Sequence, residues 1–258
     1  MAFTLITLAI AAALFLGMLL LQELGRRLGC RHLAGDPEGA RKGLGAVEGA
    51  VFGLMGLLLA FTFSGAASRL EGRRQLIAQE VNAIGTAYLR IDLLGPSVQA
   101  PLREAFRQYL DARLAYSQNP RGSAASRTGL EHSIQLQQSI WSQAVMACRD
   151  EAKSHPAMLL VPAINDMIDI TTTRGMALEQ HPPAIVFGML AALMLVGALL
   201  AGYGMAERKV ASWAHILGFA ALFSSTFFVI LDLEYPRLGL IRVDGADQVL
   251  VELRASMK

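Results

Sequence analysis

The sequence predicts an all-α, multi-pass membrane protein, and three observations carry that prediction. Its 258 residues are 53% hydrophobic and 17% charged, against about 45–50% apolar and about 25% charged residues in soluble domains. The apolar residues cluster: blocks 3–21, 49–68 and 183–206 hold no Asp, Glu, Lys or Arg, and 210–231 holds only His215 among titratable groups. Each block approaches the ~20 residues a helix needs to cross ~30 Å of hydrocarbon. Between the blocks the apolar spacing is helical, and no alternating strand pattern of useful length precedes the tail.

The same figures exclude a soluble enzyme, a secreted disulfide scaffold and a disordered chain. A net charge of +2 with no long basic run predicts no nucleic-acid partner. Cys30 and Cys148 lack CxxC spacing and read as unpaired small residues. The five histidines have no metal-ligand spacing, and HExxH, GxSxG and phosphate-loop motifs are missing. No catalytic residue, cofactor or metal is predicted.

Taken in order, the first block follows Met1-Ala2-Phe3 without a basic n-region and runs to Leu21, so it predicts a retained anchor rather than a cleaved signal. Residues 1–68 then form a first pair of spans, joined by a short connection carrying Arg26, Arg27, Arg31, Arg41 and Lys42. Gly56, Phe63, Leu70, Ile77, Ile84 and Ile91 mark one heptad row, with Ala60, Ala67, Arg74, Val81 and Tyr88 as companion. These rows predict one helix from about 44 to 94, roughly 75 Å long, ended by Gly95-Pro96.

The helical region 69–182 continues with a helix marked by Leu102, Phe106, Tyr109 and Leu110, ending at Asn119-Pro120. Leu130, Ile134, Trp141, Val145 and Cys148 mark the next. A last one covers about 157–180, where Pro162 is expected to kink or restart it. A second pair of spans occupies 183–233. In the tail, 234–258, the stretches Leu238 to Arg242 and Val249 to Leu253 read as extended or weakly helical.

Four spans put both termini and the central region on one side. The short loops hold Arg26, Arg27, Arg31, Arg41, Lys42, Arg208 and Lys209, against Arg69, Arg73, Arg74, Arg174, Arg237 and Arg242 opposite. That balance leans only slightly toward cytoplasmic short loops.

The second span carries the chemistry. Gly45, Gly49, Gly53, Gly56, Ala60, Ser64, Ala67 and Ser68 share one face, which fits either tight helix packing or an aqueous path. For a path, Phe61, Thr62 and Phe63 are candidates for a constriction that gates by dewetting. Thr62, Ser64 and Ser68 would give its polar lining, and Arg69, Arg73 and Arg74 an electropositive mouth. Glu48 fits a helix N-terminus or an ion pathway. Gly202-Tyr203-Gly204 lacks the preceding Thr-Val of a potassium filter and reads as interfacial Tyr among small residues. Asp166 and Asp169 are expected to pair with arginines of the long helix, and Asp232 and Glu234 to close the fourth span.

Glu48-Gly-Ala, Phe63-Ser-Gly-Ala, Asn82-Ala-Ile-Gly-Thr-Ala, Asp166 to Arg174 and the run from Leu231 through Tyr235-Pro-Arg to Asp244 resemble a bacterial bestrophin-like family over nearly the whole chain. More distantly, the order of spans resembles bestrophins. That resemblance implies a homo-oligomeric channel, a pentamer, passing inorganic ions and mostly anions, with the second span lining the pore. It also implies a bacterial inner-membrane location with the helical region in the cytoplasm. The acidic calcium clasp of eukaryotic bestrophins has no counterpart after Glu234. The leading expectation is an oligomeric anion channel in the lipid bilayer. The alternative is a non-conducting membrane scaffold or sensor acting through its helical region.

Overall fold

A computed structural model describes residues 2–35, 44–120, 122–150, 154–207, 213–241 and 243–257. No strand occurs among the described residues. The helices are α1 (Ala2–Gly35), α2 (Leu44–Arg90), α3 (Pro96–Gln118), α4 (Ala124–Asp150), α5 (Ser154–Glu179), α6 (Ala184–Gly204), α7 (Trp213–Glu234) and α8 (Asp244–Ser256). Stretches long and apolar enough to cross a membrane lie at Phe3–Gly35, Gly45–Leu93, Pro156–Gly204 and Trp213–Glu234. The chain forms two compact units, one of Met1–Arg69 with His181–Ile241, the other of Leu70–Gln180 with Arg242–Lys258. The all-α, four-span prediction therefore holds. Arg41, Lys42, Arg208, Lys209 and Arg242 lie outside the described residues.

In the first unit α1 packs against α6 and α7. Lipid tails are as apolar as leucine, so close backbone approach rather than the hydrophobic effect holds such helices. The glycines that allow it sit on α1 and α6. A Cβ at Gly25 would overlap the Leu199 carbonyl, and one at Gly202 would overlap the Gln22 carbonyl. One at Gly29 would lie 2.8 Å from the Tyr203 oxygen. The α2 glycines make no such close approach to the described residues of their own chain. Among the described residues, Gly45, Gly49, Gly53 and Gly56 have nothing within 4 Å of a Cβ position, and α2 turns Met55, Leu59 and Ala66 inward.

In the second unit the buried line of α2 runs Leu70, Arg73, Ile77, Glu80, Ile84, Ala87, Ile91. The spacing alternates three and four, a heptad seam. The Leu70-Ile77-Ile84-Ile91 row is buried as expected. Its companion is corrected by one residue: Arg73, Glu80 and Ala87 are buried, while Arg74 is exposed and Val81 and Tyr88 half-buried. Two charges on the buried line disguise it.

α3 begins with Pro96 in its first turn, where a missing N–H costs nothing, and buries Leu102, Phe106, Tyr109 and Leu110 as expected. α4 is rotated from its expected face. Leu130 and Ile134 are exposed, while Ser126, Ser133, Leu136, Gln137, Ile140 and Ala144 are buried. The reason is Gly129, where a Cβ would lie 2.8 Å from the Tyr116 nitrogen, so α4 meets α3 through its small and hydroxyl-bearing side. α5 passes through Pro162 without interruption, with that proline on its exposed side. Of the two alternatives for the tail, Val249 to Leu253 take the helical one, inside α8, while the described residues of 238–242 lie in a turn and bends outside any helix.

The close approaches yield a first prediction. Val at Gly25 or Gly202 would collide with backbone, which cannot rotate away. The cost exceeds the ~1–3 kcal/mol typical of overpacking. Fluorescence-detected size exclusion should show loss of the folded species for either variant, with Gly175→Ala, at a position open within 4 Å, unchanged.

Candidate functional site

The second span offers an open face. Phe61 is 65% and Phe63 45% exposed, and Gly53, Gly56, Ala60, Ser64 and Ser68 are exposed as well. At 100° per residue Phe61 and Phe63 lie about 200° apart, so they flank the small-residue stripe on opposite sides. Thr62 donates its hydroxyl to the Leu58 and Leu59 carbonyls at 2.6 and 3.1 Å, so its side chain turns back on its own helix. Glu48 lies beside Gly204, 2.9 Å from a Cβ position there. Its Oε1 is buried with no partner among the described residues, as are both amide atoms of Gln22.

The cationic candidates separate. Arg69 forks onto Glu234, with Nε–Oε1 2.9 Å and Nη2–Oε2 2.8 Å. His181 Nδ1 lies 3.1 Å from the same carboxylate, which is fully buried. The His181 ring stacks on Tyr235 at 4.6 Å. A buried carboxylate needs such charge-assisted bonds. Asp232, also buried, accepts the Leu240 and Ile241 N–H groups at 2.9 and 2.7 Å. A Cβ at Gly239 would overlap that carboxylate, so only glycine lets the turn close over it. Both carboxylates at the end of α7 are thus held by the protein itself.

Arg73 is buried and donates to the Ala177 and Gln180 carbonyls at 3.1 and 3.0 Å. These are orphan acceptors at the α5 C-terminus, where a cation also meets the negative end of the helix dipole. Arg74 is the exposed one of the three, 3.9 Å from Glu71.

Almost two turns beyond Arg73 sits the residue the sequence reading passed over. Glu80 is fully buried, receives Arg113 Nε at 2.6 Å, and is bound on its other oxygen by Arg174. Arg174 reaches on to Asp247 at 3.3 Å. α2, α3, α5 and α8 therefore meet at one carboxylate. Asp166 and Asp169, expected as the arginine partners, are exposed, and Asp169 takes the Asn165 amide at 2.8 Å. The legible signal for Glu80 was its phase: seven residues after Arg73 and midway between Ile77 and Ile84 on the seam.

Four hydrocarbon-length helices and an ion-paired helical unit define a multi-pass, all-α membrane protein. A family model described as a bestrophin-like domain matches residues 12–247. The chain belongs to the bestrophin-like family. No curated protein and no solved structure matches it.

Removing one partner of a buried ion pair costs about 3–5 kcal/mol, because the other charge is left unpaired. Glu80→Ala takes the acid from Arg113 and leaves Arg174 with Asp247 alone, and should lower the thermal midpoint read by far-UV circular dichroism. Glu71→Ala, exposed at the surface, should stay within about 0.5 kcal/mol.

Proposed function

We propose that copies of this chain assemble into a ring that conducts ions, anions in preference, with α2 lining the path. The observation that carries this reading is the open face of α2. A membrane helix with a row of glycines and serines that its own chain leaves uncovered is suited to facing neighbours and water rather than lipid. Membership of the bestrophin-like family supports it. Gly53, Gly56, Ala60 and Ser64 face the path, with Ser68 at its edge. Phe61 and Phe63, on opposite flanks, bring Phe61 of one copy toward Phe63 of the next and form the apolar constriction there. Arg74 gives the anion preference, since Arg69 and Arg73 are bound within their own units.

Two measurements test this. In a planar bilayer under an asymmetric chloride gradient, current should reverse near the chloride equilibrium potential, and Phe61→Ala or Phe63→Ala should alter conductance or gating. Reversal on the cation side would transfer selectivity to Glu71. Silence with incorporated protein, including under tension, would favour a scaffold acting through the helical unit. Independently, Phe61→Cys with Phe63→Cys, in a chain whose Cys30 and Cys148 are replaced by Ser, should oxidise to a ladder that ends at the subunit number. Monomer alone would remove the ring.

A further inference from the structure

The chain passes between the membrane unit and the helical unit three times: after Arg69, before His181 and after Ile241. Each of these three residues, on the membrane side of its crossing, is held by a carboxylate in the last turn of α7. Arg69 and His181 share Glu234. The arginine forks onto it at 2.9 and 2.8 Å, and His181 Nδ1 lies 3.1 Å from Oε1. Ile241 donates its N–H to Asp232 at 2.7 Å, beside the Leu240 N–H at 2.9 Å. Residues two apart on a helix point about 200° apart. The end of α7 therefore gathers the α2 exit and the link to α6 on one side and the exit to the tail on the other.

Burial makes this gathering strong. Glu234 and Asp232 are both buried, so neither acid can trade its protein donors for water, and a lost donor leaves a desolvated charge. The residue after them adds a third tie. Tyr235 stacks on His181 at 4.6 Å and meets Phe3 of α1 at 4.9 Å, while the Thr4 hydroxyl donates to the Leu238 carbonyl at 3.2 Å. The start of α1 thus closes on the same turn. Releasing one exit alone leaves a buried acid short of a donor, whereas moving the end of α7 shifts all three.

We infer that the end of α7 is a collar that makes the three exits from the membrane unit open and close as one cooperative segment. A displacement delivered along any one exit reaches the other two through Glu234 and Asp232. α7 is the element that carries it, and α2 is one of the elements that feel it. The collar lies within the membrane unit and stands whether or not the chain conducts.

The test disturbs one exit and reads another, by hydrogen–deuterium exchange of the full chain in detergent. Arg69→Lys keeps the charge and loses the fork. It should speed exchange at least about tenfold at Leu240 and Ile241, on the exit to the tail, the worth of one hydrogen bond to a charged group. His181→Gln should act in the same direction. Gly239→Ala pushes the tail off Asp232 and should speed exchange at Val186, whose N–H is bonded to the Pro183 carbonyl at 2.9 Å just beyond His181. Amides of α1 between Leu14 and Gly25 should keep their protection in all three variants. Loosening confined to the exit that each substitution touches would overturn the collar, as would unchanged exchange at every exit. Protection lost equally throughout α1 and α6 would overturn it too, because the unit would then open as a whole.

Discussion

Within the helical unit, everything is arranged around a carboxylate with no access to water. Glu80 receives Arg113 from α3 and Arg174 from α5, and Arg174 passes the connection to Asp247 on α8. Desolvating an ion is expensive, several kcal/mol even after relaxation. The arrangement persists because each acid faces a base at hydrogen-bond distance. Its neighbour Tyr109 shows how dry the surroundings are: burial pushes its phenol up to about 12. Apolar residues in place of the whole cluster, bases and acids together, would pack the seam with less electrostatic cost. What the ion cluster adds is geometry, since a guanidinium and a carboxylate meet in few orientations, and these fix the rotation of each helix about its axis.

The membrane unit is assembled on another basis. Between α1 and α6 the contacts are backbone against backbone at Gly25, Gly29 and Gly202. Its buried acids lie at the end of α7, where Glu234 is held by Arg69 and His181 and Asp232 closes the Tyr235–Gly239 turn. One unit thus gains specificity from paired charges, the other from close-fitting small residues. Each device suits its solvent: where lipid removes the hydrophobic driving force, proximity and satisfied polar groups remain.

Much of this was legible from spacing. The four spans, the length of α2, the start of α3 and the Leu70-Ile77-Ile84-Ile91 row follow from apolar periodicity and from proline and glycine punctuation. The errors share one cause. A reading that follows apolar residues slides off any buried line that contains charge or hydroxyl. That moved the α2 companion row from Glu80 to Val81, and the α4 face from Ser133 and Gln137 to Leu130 and Ile134. The tail stayed open between extended and helical for a related reason, because Asp247 is one of the residues that α8 turns inward. The open face of α2 was legible as composition. That it is open could be known only from what the other helices cover.

The uninterrupted course of α2 has an evolutionary corollary. No loop lies between Met55 and Ile91 to absorb a change in length, and each residue added or lost turns everything beyond it by about 100°. A single-codon insertion near Gln75 would therefore put Glu80 out of phase with Leu70 and Arg73 and bring the exposed Gln79 into its place. Seven codons, almost two full turns, would restore the phase to within about 20°. In this segment, lineages are free to exchange side chains far more readily than to lengthen or shorten, and any viable indel should come as a heptad.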